Sequence, residues 1–63
     1  MRTINLSLVG LDGNAFSLMG AFSRQAKREG WTSDEIKSVI DDATSGDYEH
    51  LLATISFSCQ PTD

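Results

Sequence analysis

The chain has 63 residues, nine acidic and five basic, with a net charge of −4, a single histidine and a single cysteine. That length makes one domain over residues 1–63 with a marginal core, because chains of about 60 residues bury only about 60% of their unfolded surface. One cysteine excludes an internal disulfide and one histidine a Cys/His metal cluster, while the acidic balance repels a phosphate backbone; oligomerisation is the expected staple, and direct nucleic-acid binding is not expected.

Thr3 to Val9 alternates, with Ile4, Leu6 and Leu8 on one side and Thr3, Asn5 and Ser7 on the other. This period of two predicts strand 1 over 3–9. Leu11-Asp12-Gly13 breaks the pattern, Gly13 being free to take a positive φ. Asn14 is then a natural N-cap for helix 1 over 15–29, whose apolar residues Ala15, Leu18, Met19, Phe22 and Ala26 share one face. Arg24, Lys27 and Arg28 sit at its C-terminal end, where they complement the helix dipole, and Gly30 terminates it. Gly20 is either a small-residue notch for a neighbouring backbone or a tolerated weak spot.

Thr32-Ser33-Asp34-Glu35 is a capping box that opens helix 2 over 33–45, with Trp31 packing on Ile36 or on helix 1. Ile36, Val39, Ile40 and Ala43 form its apolar face, and Gly46 marks its end. Asp47 caps a short helix over 47–53. Beyond it two periods compete. Leu51, Leu52 and Ile55 suit a continuing helix, whereas Ile55, Phe57 and Cys59 alternate with Thr54, Ser56 and Ser58; the β-branched and aromatic content favours strand 2 over 54–59. Gln60-Pro61-Thr62-Asp63 is expected to fray. The expected fold is α+β, a small single-layer β-α-α-(α)-β domain whose two-stranded ribbon is completed by dimerisation.

Catalytic, metal and cofactor patterns are sparse. Gly10 to Phe16 joins a strand to a helix N-terminus and so could cradle an anion on the Gly13 and Asn14 amides, with Arg24 or Arg28 from a dimer mate. No lysine follows as in a Walker loop, no third glycine as in a dinucleotide fingerprint, and Asp12 repels phosphate; a turn with an N-cap is the preferred reading. A helix-turn-helix would present Asp34, Glu35, Asp41 and Asp42 to the DNA groove, which they repel. His50, beside Asp47 and Glu49, has no partner at a spacing that marks a general base. Asp41, Asp42 and Asp47 lack the alternating ligand order of a calcium loop. No catalytic residue, metal ligand or cofactor is assigned, and no enzyme activity is expected.

Asp12-Gly13-Asn14-Ala15-Phe16 and Ser45-Gly46-Asp47-Tyr48-Glu49-His50-Leu51-Leu52 together resemble a family of small uncharacterised proteins of tailed bacteriophages and prophages. The resemblance covers residues 3 to 53, with Glu49 where the family often has aspartate. It implies a context without a mechanism. Small acidic phage proteins commonly act by binding, which makes a non-enzymatic accessory protein that modulates a host or phage protein, as in anti-defence, the leading expectation. Asp34, Glu35, Asp41 and Asp42 would face the partner. The alternative is a nucleotide-binding, sponge-like protein using Gly13, Asn14, Arg24 and Arg28. With no basic leader and no apolar run of about 18 residues, a cytoplasmic location without membrane association is expected.

Overall fold

The computed structural model describes residues 3–8 and 10–60, which form three helices: α1 (Ala15–Arg28), α2 (Ser33–Ala43) and α3 (Tyr48–Phe57). Each begins on a side-chain cap. The Asn14 carboxamide accepts from the Phe16 amide at 2.8 Å, and the Asp47 carboxylate accepts from the His50 amide at 3.0 Å. Thr32 and Glu35 form the reciprocal pair, Thr32 Oγ1 accepting from the Glu35 amide at 3.1 Å and Glu35 Oε1 from the Thr32 amide at 2.8 Å.

Between α1 and α2 the chain is held from both sides. Gly30, at φ 89°, donates its amide to the Lys27 carbonyl at 3.1 Å, and Trp31 donates its own to Ala26 at 3.0 Å, the paired bonds of a Schellman ending. Trp31 is thereby carried onto the core, where its ring meets Phe22 edge-on, with centroids 5.6 Å apart and planes at 90°. Leu18, Phe22 and Ala26 of α1, Ile36 and Ala43 of α2, and Leu51 and Ile55 of α3 complete the centre with Ile4 and Cys59.

The expected α+β arrangement is not what forms: among the described residues there is no strand and no sheet. Of residues 54–59, expected as strand 2, 54–57 are the last turn of α3, Ser58 is its cap and Cys59 forms an isolated bridge beyond it. Burying Leu51 and Ile55 on the seam with α1 and α2 outweighs a β preference worth at most about 1 kcal/mol. Strand 1 therefore has only Ser58 to Gln60 to lie against. Ile4 donates to the Ser58 carbonyl at 2.9 Å and accepts from the Gln60 amide at 2.8 Å, making one parallel bridge with Cys59 and, among the described residues, nothing longer. Ser58 caps α3, so Ile4 satisfies a carbonyl that the helix end would otherwise leave unpaired.

The extended segment still turns Ile4, Leu6 and Leu8 toward the core and leaves Asn5 and Ser7 exposed. Its other anchor is Glu29 beyond α1, whose Oε2 accepts from the Asn5 amide at 2.7 Å and from Gln25 Nε2 at 2.8 Å. Val9 of the expected strand, and the Pro61-Thr62-Asp63 part of the expected fraying tail, lie outside the described residues. The positive φ ahead of α1 belongs to Gly10, at 85°, and not to Gly13. The expected ends of the helices shift as well: helix 1 stops at Arg28, helix 2 at Ala43, and the short helix runs to Phe57.

Among the described residues no backbone approaches Gly20, and a Cβ there would meet the tip of the Arg24 side chain, Nη1, at 3.4 Å. Gly20→Ala is expected to stabilise the chain by about 0.5–1 kcal/mol, read as a higher urea midpoint at unchanged slope. Cys59 reports on the Ile4 bridge. Burial, and then the Glu29 carboxylate, push its thiol up from an ordinary 9.0 to about 11. The folded chain keeps this proton where the unfolded chain has lost it, so the thiol's contribution is complete below about pH 9 and falls away as pH rises to about 11. Denaturation across that window should show an alkaline decline that Cys59→Ala lacks.

Candidate functional site

Residues from the end of α2, the following turn and α3 gather around one imidazole. His50 Nε2 lies 2.9 Å from the Asp42 carbonyl, 3.5 Å from Asp42 Oδ1, 3.4 Å from Ser45 Oγ and 3.5 Å from Thr54 Oγ1. A carbonyl only accepts, so Nε2 carries a proton and donates to it. Ser45 Oγ donates to that same carbonyl at 2.6 Å, and Thr44 Oγ1 to the Ile40 carbonyl at 2.9 Å. These groups together finish α2 in place of the lysine, arginine or glycine that usually closes a helix.

Serine, histidine and aspartate are thus adjacent, but a relay needs the carboxylate on one ring nitrogen and the hydroxyl on the other. Here both address Nε2, already spent on a carbonyl, so the three do not form that relay and the Nε2 proton serves the α2 cap. Gly46 makes the approach possible. A Cβ at that position would stand 3.0 Å from His50 Cβ and 3.1 Å from Cγ.

Beside this cap, α2 and α3 enclose an open groove of about 510 Å³. Val39, Ala53 and Phe57 give it an apolar floor, with Ser38, Asp42 and Thr54 at its polar edges. Phe57 is 66% exposed. Of the residues singled out for a partner, Asp34, Asp41 and Asp42 are exposed on α2, Asp41 meeting Lys37 at 3.0 Å, while Glu35 is half-buried in the capping box. The three aspartates considered for a cation have separate tasks: Asp41 on Lys37, Asp42 beside His50, Asp47 on the α3 cap.

Gly13 and Asn14 do not meet Arg24 and Arg28 within one chain. The arginines follow Asn14 along α1 by ten and fourteen positions, roughly 15 and 21 Å at 1.5 Å per residue. The turn is also engaged in itself: Asp12 Oδ1 accepts from the Asn14 amide at 3.1 Å, and the Tyr48 hydroxyl donates to the Gly13 carbonyl.

Sequence reasoning missed the exposed rings of Phe16, at 82%, Phe57 and Tyr48. Phe16 falls beside the apolar stripe of α1, a visible signal. Phe57 was placed with Ile55 by the strand period, whereas about 100° per helical residue puts it nearly opposite.

Gly46→Ala is expected to cost about 1–2 kcal/mol by displacing the imidazole and the α2 cap. In a double-mutant cycle with His50→Ala the two losses should fall short of additivity by at least about 0.5 kcal/mol; fully additive losses would show that the glycine does not serve the ring. Comparison with models of protein families, with curated proteins and with solved structures returned no match.

Proposed function

We propose that the chain is a small acidic, non-enzymatic accessory protein of bacteriophage type that binds and modulates a host or phage protein in the bacterial cytoplasm. One observation carries this reading: Asp34, Asp41 and Asp42 stand exposed along α2, with Lys37 beside Asp41 and the His50 ring beside Asp42. Such an array attracts a basic surface and speeds encounter with it, its strongest effect being on association and on choice of partner. The nucleotide alternative, which takes Arg24 or Arg28 from a dimer mate, gains no comparable support, since the Asn14 amide it would use is already given to Asp12 Oδ1.

The dimer was expected as the completion of a sheet, and without a sheet that reason is gone. Tagged chain and its Asp34→Asn/Asp41→Asn/Asp42→Asn variant should be compared by affinity capture from bacterial lysate, with circular dichroism confirming that α2 stays helical. A stoichiometric partner should come down with the native chain and be reduced about tenfold by the variant or by raised salt. No partner, or one retained equally by the variant, overturns the proposal.

A further inference from the structure

The seam between α2 and α3 differs in composition from the surface around it. At about 100° per residue, Glu35, Ser38 and Asp42 succeed one another along the α2 edge of the groove, with Asp34 and Asp41 in the next row outward. On α3, Glu49 lies one turn before Ala53 on the outer side. The groove lining contains no lysine and no arginine. An apolar floor with Phe57 at its end therefore runs beside Asp42, with Asp34 and Asp41 farther out on α2 and Glu49 beyond the α3 edge.

We infer that this groove takes one amphipathic helix of a basic protein, its apolar stripe over Val39, Ala53 and Phe57 and its lysines or arginines against those carboxylates. This rests on the reading of the chain as a binding protein and names the surface and the partner's chemistry. Length agrees: from His50 to Phe57 is seven residues, about 10.5 Å, the span of anchors at i and i+7 on a docked helix.

A second copy is a poor occupant. Two copies joined by this face would set the α2 aspartates against one another. The chain's own basic helix, α1, has its apolar residues Leu18, Phe22 and Ala26 committed to the core.

The test uses the full chain labelled with ¹⁵N and two leucine–lysine peptides of identical composition, one with its leucines at i, i+3, i+4 and i+7, the other scrambled. The striped peptide should shift the amides of Val39, Asp42, Ala53, Thr54 and Phe57 saturably. Phe57→Asp, at an exposed position, should weaken it about tenfold. Equal binding of the scrambled peptide, lost in the Asp34→Asn/Asp41→Asn/Asp42→Asn variant, overturns the groove while the acidic-surface reading stands. Binding of neither peptide counts against both. A sedimentation dimer abolished by Phe57→Asp assigns the groove to a second copy and overturns the inference.

Discussion

The edge-on contact of Trp31 with Phe22 is the interaction on which the arrangement of helices depends. It is fixed by local chemistry at both ends. The Schellman bonds that end α1 place the Trp31 amide on Ala26, and the capping box beginning at the next residue sets where α2 starts. The indole is left with one place to go, against Phe22 and the Ile36 face of the same core. A loop of four residues thereby sets the crossing of two helices without requiring a long interface between them.

The third helix is held by a different kind of constraint. α2 ends without a basic residue in its last turn, so its dipole and free carbonyls need help from elsewhere. Thr44 and Ser45 supply part of it, and His50 supplies the rest from within α3. The same imidazole that finishes α2 therefore holds the start of α3 against it. Tyr48 extends this tie to the turn before α1 through Gly13. The N-terminal segment then closes the open end by spanning Glu29 and Ser58. Here is a staple that the marginal size of the chain demands, made of the chain's own backbone.

The elements legible in the sequence were those written in local code. Asn14, the Thr32–Glu35 box, Gly30 and Asp47 each act through atoms a few residues away, and each works in the structure as its residue type dictates. That no sheet forms among the described residues was not legible, because alternation reports one buried face and says nothing of what pairs with the backbone. Ile4, Leu6 and Leu8 keep that buried face while only Ile4 finds a bridging partner. Ile55 to Cys59 misled more deeply, since Ile55 in the helix and Cys59 just past its cap are buried as they would be in a strand. The exposed Phe57 and the buried Ser58 distinguish the two, and the choice between them was decided by distant contacts with α1 and α2.

Phe57 also governs what could be seen of the candidate site. In a strand Phe57 would share the core side with Ile55, and the face now open between α2 and α3 would not exist. In a helix it turns outward beside Val39 and Ala53, and an apolar floor appears next to aspartates whose exposure the sequence had already suggested. The acidic residues were therefore visible as charge but not as one side of a groove. Charge without apolar area gives steering and little residence, while an apolar floor without a charged rim gives residence with little choice of partner. Continuing α3 through Phe57 places the two side by side, so the same change of secondary structure that removes the sheet also creates a surface able to combine them.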